Sequence, residues 1–374
     1  MERQSAENLV HTPVMLDEVL ALFRSLGRPE ATVIDCTLGA GGHAEALLSQ
    51  YPSIKYIGID ADPEACGRAG ERLAPYSDRL EILQGYFDDQ LAALSASPAA
   101  KRPDFILFDL GVSKFDFFDS GRGFSFSLNE PLDMRFSPEA AQTAADIVNR
   151  YDEKDLADII YEFGGERYSR RIAKAIVEAR RVSPIRDSAK LAAIVASAVP
   201  PDYRRSRLHP ATKTFQALRI KVNDELGRDA RGLALAASLV APGGIVAVIS
   251  FHSLEDGITK RCFRELAGAV DANPPEEIAS TAETTSVADT NPKDRFELLF
   301  KKSLVPTETE IAANPASRSA KLRALRKLLP GAVGVDGLVG NRDRKGARRR
   351  HNIPGSALAS ETKTGATKIE EAMP

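Results

Sequence analysis

The chain has 374 residues, 43% of them hydrophobic and 27% charged, with a formal net charge of −2. That is enough apolar material for a large core and more than one domain, and it excludes a polybasic nucleic-acid binder, so that any nucleic-acid surface must be a local patch. Cys36, Cys66 and Cys262 have no paired spacing, which indicates neither a disulfide framework nor a zinc site; the N-terminal MERQSAENLV lacks a signal-peptide core, no later run reaches membrane-span length, and a reducing cytoplasm fits.

His11-Thr12-Pro13 opens the first organised segment. Thr12 suits a helix N-cap and Pro13 the first helical position, after which Val14, Leu16, Val19, Leu20 and Phe23 space as one helical face. The stretch Ala31–Ala65 then reads as strand, glycine loop, helix, strand. Val33 and Ile34 suit a buried strand with Asp35 at its end. Gly39, Gly41 and Gly42 precede a helical run over 44–49, and the strand 55–59 ends in Asp60. Glycines let a ligand approach the backbone, and a helix N-terminus offers unpaired N–H groups. An acid some twenty residues on suits the hydroxyls of a ribose. Gly39-x-Gly41-x-x-Ala44 satisfies a dinucleotide fingerprint formally, and S-adenosylmethionine fits the same frame. Asp35 sits awkwardly beside a pyrophosphate and suits a cationic ligand. The glycine loop alone leaves both cofactors open.

A helix over 63–73 and a strand over 80–84 follow, with Gly85-Tyr86-Phe87 at the strand's end, where an aromatic can flank a flat adenine or simply belong to the core. Residues 105–110 (FILFDL) are a fourth strand carrying Asp109 at its carboxyl end, the ligand-facing edge of such a sheet. Residues 115–136 then lose all periodicity while keeping many phenylalanines, the mark of a functional or capping loop, with Arg122, Asp133 and Arg135 as its polar members. Residues 140–199 read as a run of helices punctuated by Gly164-Gly165, Ser183-Pro184 and Pro200-Pro201. Arg167, Arg170, Arg171, Lys174, Arg180, Arg181, Arg204, Arg205 and Arg207 make this insertion locally basic. Such a run is a solvated face by default and an RNA or DNA contact when it lies near an active site.

His209-Pro210-Ala211-Thr212 leads into a helix that Thr212 or Thr214 can cap, with Phe215, Leu218 and Val222 on one face and Lys213, Gln216, Arg219 and Asn223 elsewhere. A further helix over 226–240 ends at Pro242-Gly243-Gly244. The strand IVAVISF (245–251) runs into His252-Ser253-Leu254-Glu255-Asp256, in which Ser253 and Asp256 form a capping box and His252 has no assigned task. Residues 268–294 read as a flexible acidic insertion. Phe296–Val305 is a last, edge strand. Residues 315–327 are basic, and the tail beyond, with Arg348-Arg349-Arg350, reads as disordered with a charge that suits a phosphate backbone.

In this order the segments HTPVMLDEVL, DCTLGAGGH, GIDADP, DLGVS, RGFSF, PLDMRF, GGERYSRRIAKAI, HPATKTFQALRI, VN-x-EL, VAPGG, ISFHSLED and NPASRSAKLR span residues 11 to about 323. Together they resemble the bacterial small-subunit ribosomal RNA cytosine-N4 methyltransferases, the RsmH or MraW family. The resemblance implies an α/β fold: a Rossmann-like class I methyltransferase sheet (residues 1–112 and 209–330) interrupted by a loop and an all-helical substrate domain (113–208), with a tail from 331 to 374. It implies S-adenosylmethionine as cofactor, 16S rRNA within the small ribosomal subunit as partner, and methylation of a decoding-centre cytidine at N4. It leaves the oligomeric state open, a homodimer included. The family's cofactor contacts fall here on Gly41, Gly42, His43, Asp60, Phe87 and Asp109. Its last contact, a glutamine, falls on Asp116, because this chain reads DLGVSKFD; an acid accepts a hydrogen bond but cannot donate as an amide does.

For the chemistry, Asp109 is a candidate acceptor for the target amine, whose lone pair is delocalised into the cytosine ring. It stands where many amino-methyltransferases carry (Asp/Asn)-Pro-Pro-aromatic, although the prolines are absent here. His209, Arg219, Asn223 and His252 are candidates to hold a flipped base and its phosphates. No spacing indicates a metal. A nicotinamide oxidoreductase, an assembly factor without turnover (for which the Lys114-Phe115-Asp116 departure speaks) and a methyltransferase for another RNA cytidine are the rival readings.

Overall fold

A computed structural model describes residues 13–97, 101–111, 120–205, 208–268 and 294–331. His11, Thr12, Lys114, Asp116, Arg207, the acidic stretch over 269–293 and the tail from 332 lie outside these residues. Seven strands form one sheet: β1 (Thr32–Asp35), β2 (Lys55–Asp60), β3 (Leu80–Gln84), β4 (Phe105–Asp109), β5 (Ile245–Ser250), β6 (Phe296–Leu298) and β7 (Lys321–Lys327), in the order β3-β2-β1-β4-β5-β7-β6. The first five are mutually parallel, and β7 runs antiparallel between β5 and β6.

The central strands are apolar almost throughout because both faces are covered. Val33, Phe105, Leu107, Ile245, Ala247 and Ile249 point to one face. There they pack with Val19 and Phe23 of α1 (Leu16–Arg24) and with Leu47 and Leu48 of α2 (Gly42–Gln50). The residues between them, Ile34, Ile106, Phe108, Val246 and Val248, point to the other. They meet Leu233 and Ala236 of the helix Glu225–Leu239 and Ile258 and Phe263 of the helix Ser253–Leu266. This is the period-two alternation of a strand read from both sides. The strand order reverses between β1 and β4, the topological switch point at which such sheets place ligands. The fold is the expected α/β, Rossmann-like class I methyltransferase sheet.

Two further helices complete the nucleotide half: α3 (Pro63–Arg72), capped by Asp62, and α4 (Phe87–Ala96). The sequence reading has no helix at α4. After β4 come α5 (Ala144–Arg150), α6 (Glu153–Glu162), α7 (Ser169–Val182), α8 (Ser188–Ala198), the single turn α9 (Pro201–Arg204) and α10 (Thr212–Asn223). Their caps are mostly local acids and hydroxyls: Thr143 with Asp146 on α5, Asp152 on α6 and Asp187 on α8. In α7 the buried Ile172, Ala173, Ile176 and Val177 recur at helical spacing and leave Arg170, Arg171, Lys174 and Arg181 pointing away from that core.

Four expectations are corrected here. The helix α10, read from sequence as the return to the sheet, buries Phe215, Ala217, Leu218 and Val222 in the helical core instead. Its N-cap is Ala211 without a side-chain cap, since Thr214 is itself buried. The first helix begins at Leu16 behind Met15, not at Pro13. The last strand is β7 rather than the stretch 296–305, of which only 296–298 is strand. The basic run 321–327 is that strand, its charges paired with Asp256, Glu297 and Asp294.

The chain turns from α10 into α11 (Glu225–Leu239) on a single residue, Asp224, which is left-handed at φ 50°. Among the described residues, no helix is long and apolar enough to cross a membrane.

Candidate active site

A cavity of about 240 Å³ opens at the carboxyl ends of β1, β2 and β4. The glycine loop forms one wall through Gly39, Ala40, Gly42 and His43. Gly41 is the N-cap of α2 with φ 78°, and a Cβ there would come within 2.9 Å of Leu73; this glycine closes the loop onto α3 and does not line the cavity. Asp60 holds the loop from β2: its Oδ2 accepts from the Gly39 N–H at 2.7 Å and its Oδ1 from the Asp62 N–H at 2.9 Å. Phe87 lines the cavity from the first turn of α4 and packs edge-on against Phe108, with ring centroids 5.4 Å apart. Its neighbour Tyr86 also lines the cavity and lies under the Arg228 guanidinium, 3.6 Å from ring centre to Cζ.

Asp109 sits at the end of β4. Its backbone N–H donates to Thr37 Oγ1 at 2.6 Å, its Oδ2 lies 3.7 Å from His43 Nδ1, and its Oδ1 is buried with no hydrogen-bond partner. His43 is 6% exposed, with Nε2 3.1 Å from the Val14 carbonyl. Burial, with Asp35 and Glu255 nearby, pushes the Asp109 carboxyl well above the ordinary carboxylate range.

Asp35, expected from its strand-end position to meet a cationic ligand, does not line the cavity. It is buried beneath it, where its oxygens accept from Tyr56 Oη at 2.9 Å and from the Thr37 N–H at 3.1 Å. Burial pushes its carboxyl up to about 6, and those two donors hold it from rising further.

The side chains grouped as base holders separate. His252, not Ser253, caps the helix α12 (Ser253–Leu266). Its Nδ1 accepts from the Glu255 N–H at 3.3 Å, while Glu255 Oε2 accepts from the N–H groups of His252 and Phe251 at 3.1 and 2.7 Å. The box is therefore His252 with Glu255, one residue earlier than the sequence pattern indicates. Asp256 turns instead to Lys321 and Arg323 of β7. Burial opposes the charge of Glu255, but His252, Arg219 and the Phe251 N–H outweigh it and hold the carboxyl below its ordinary range. Arg219 forks onto both oxygens of Glu225 at 2.8 Å. Asn223 lines the cavity while bracing the irregular segment: it donates to the Met134 carbonyl and accepts from the Phe136 N–H, both at 2.8 Å. His209 is exposed, outside the cavity lining, and stacked on Phe126 with centroids 4.4 Å apart. Asp116 lies outside the described residues.

Sequence reading gives no site role to four acids of the lining: Asp62, Glu225 and Glu255, which stand inside the motifs GIDADP, VN-x-EL and ISFHSLED, and Asp229. Asp229 is 4% exposed, and its Oδ2 has no hydrogen-bond partner. For Asp229 the available signal was its spacing from Glu225, one helical turn, which puts both on one face of α11.

Residues 8–328 match the profile of the MraW methylase family. The chain belongs to that family. It is 46% identical over 322 residues to the ribosomal RNA small subunit methyltransferase H of Treponema denticola, covering 85% of this chain and 98% of that one. To the protein of the same name from Acidothermus cellulolyticus it is 43% identical over 321 residues, covering 86% and 94%. To that of Methylorubrum extorquens it is 45% identical over 323 residues, covering 86% and 88%.

The cofactor of this methylase is S-adenosylmethionine, and the lining fits it. Beside Asp109 and Asp229, whose carboxyls are raised, Asp60, Asp62, Glu225 and Glu255 face the cavity against Arg68 and Arg228. Such an excess of acid repels a pyrophosphate and attracts a ligand with an ammonium and a sulfonium. The buried, unpartnered Asp109 Oδ1 is one acceptor awaiting a donor. The dinucleotide left open by the glycine fingerprint is thereby disfavoured on charge.

Proposed function

We propose that this methylase transfers a methyl group to the exocyclic N4 of a cytidine in the decoding centre of 16S rRNA within the small ribosomal subunit. The observation that carries the reading is Asp109: a strand-end carboxyl with an unpartnered oxygen in an acid-lined cavity, where an amine donor belongs. The name of the relatives, ribosomal RNA small subunit methyltransferase H, supports the substrate class.

In this reading Gly39, Gly42 and Asp60 hold the ribose and methionine portions of the cofactor, and Tyr86 and Phe87 flank its adenine. S-adenosylmethionine, when bound, would supply a sulfonium methyl to the N4 lone pair, the electrons of the C–S bond leaving with sulfur. Asp109 Oδ1 accepts one N4–H before the step, which raises electron density on nitrogen and fixes its approach. The same carboxylate takes the proton that N4 sheds once the new C–N bond has formed. A cation in the cavity offsets the negative neighbours Asp35 and Glu255 and returns Asp109 to the charged form this role requires.

The helical domain supports an RNA partner. Arg167 is exposed and lies over the rings of Tyr168 and Tyr203 at 4.7 and 5.2 Å. The exposed Arg170 and Arg171 follow it in sequence, and the exposed Arg204 and Arg205 follow Tyr203. A guanidinium held against two rings suits both a phosphate and a stacked base. The test is Asp109→Asn. Turnover on small subunits should fall by about a hundredfold, as for loss of one general-base group, while cofactor still binds. Near-normal turnover with normal cofactor affinity removes Asp109 from the chemistry.

A further inference from the structure

Two unpartnered buried carboxyl oxygens belong to residues lining this cavity, Asp109 Oδ1 and Asp229 Oδ2. The scheme above uses the first and leaves the second without a task. Asp229 sits one turn into α11, and Arg219, Arg228 and Arg231 are committed to other acids. Arg219 forks onto Glu225, and Arg228 and Arg231 both reach Asp88. A buried acid left without a partner, beside committed neighbours, is a position kept for a ligand.

We propose that Asp229 is the base-recognition residue, its carboxyl pairing side-on with the N3–N4 edge of the target cytosine while Asp109 takes the second N4–H. The proposal rests on the reading that cytidine N4 is the methylated atom. Cytosine presents an acceptor, N3, beside a donor, N4–H. A neutral carboxyl presents a donor beside an acceptor and closes two hydrogen bonds with that edge. An ionised carboxylate has acceptors only, and it would face the N3 lone pair. The surroundings favour the protonated form of Asp229: burial first pushes its carboxyl well above the ordinary range, the negative Glu255, Glu225 and Asp88 add to this, and Arg219 opposes it. Glu255 and Glu225 thus act through Asp229 as positioning residues for its proton. With both N4 hydrogens held in the base plane, the nitrogen's out-of-plane lone pair is left free for the methyl.

The experiment compares Asp229→Asn and Asp229→Ala with wild type in the full-length chain. It measures S-adenosylmethionine affinity by calorimetry, methyl transfer to unmodified small subunits across pH, and the infrared carbonyl band of a protonated carboxyl. An amide offers the same donor beside acceptor at every pH. Asp229→Asn should therefore keep transfer within about tenfold of wild type and lack the alkaline fall in turnover expected of wild type, because its side chain has no proton to lose. The wild-type-minus-Asn infrared difference should contain a protonated-carboxyl band at neutral pH. Asp229→Ala should lose transfer by about a hundredfold with cofactor affinity within threefold, the expected loss of two hydrogen bonds to the base. An Asn variant as inactive as the Ala variant, or an Ala variant that loses cofactor affinity in step with turnover, overturns the proposal. Should the Ala variant not fold, the Asn pH profile and infrared band decide alone. Label on an atom other than N4 overturns the underlying reading together with this one, and the identity of the labelled nucleoside tells that failure apart.

Discussion

Asp60 performs two tasks with one carboxylate: it ties down the glycine loop at Gly39 and the start of α3 at Asp62. Asp60→Ala should weaken cofactor binding by at least tenfold, about the loss of one charge-assisted hydrogen bond, read by calorimetry. Asp109 links cofactor to protons. Because its carboxyl is raised in the free protein and a bound cation lowers it, binding releases a proton, and affinity should climb with pH until Asp109 ionises unaided. Asp109→Asn should flatten that dependence. Asp35 acts on stability. Its carboxyl is raised to about 6 on folding, so its contribution is greatest in acid and is lost as pH rises through that value. The melting temperature of Asp35→Asn relative to wild type should therefore shift in the variant's favour between about pH 4 and about pH 7. Asp60 was legible because an acid at a strand's end, some twenty residues beyond a glycine loop, stands where a βαβ unit meets a ribose. Asp229 was not, because ELGRDARG reads as an ordinary charged helix face, and only the packing of α11 shows that the acid points inward.

At the level of elements, Asn223 joins two parts of the molecule that are far apart in sequence. From the last residue of α10 it bonds both sides of the chain at Met134 and Phe136, and Met134 itself has φ 63°. Asn223→Ala leaves a buried carbonyl and a part-buried N–H unpaired and should cost about 2 kcal/mol in urea unfolding. A loss below about 0.5 kcal/mol would mean that water replaces the amide. The parallel strands and the long helices were readable from apolar period. α4 was not, since DDQLAALSA is short and only weakly amphipathic. β7 was missed because KLRALRK looks like a cationic patch. Its alternation of buried Leu322, Ala324 and Leu325 with partnered charges emerges only when Asp256 and Glu297 are placed beside it. The capping box moved by one residue because a histidine ring nitrogen accepts as a serine hydroxyl does, a substitution that pattern rules do not include.

On the scale of the whole molecule, a chain with a net charge of −2 concentrates exposed arginines on the helical domain and acids in the cavity. The two poles suit a polyanionic partner outside and a cationic ligand inside. Arg167→Glu with Arg171→Glu should weaken small-subunit binding at physiological salt by roughly tenfold or more. It should also flatten the dependence of that binding on salt, because fewer phosphate counterions are released, while cofactor affinity stays unchanged. The measurement that bears most directly on the central claim is methyl transfer itself. Purified protein and tritiated S-adenosylmethionine are mixed with small ribosomal subunits that lack the modification, and the labelled nucleoside is identified by mass spectrometry. Label is expected on N4 of a single decoding-centre cytidine. Bound cofactor with no transferred label, or label on another atom or another RNA, would contradict it.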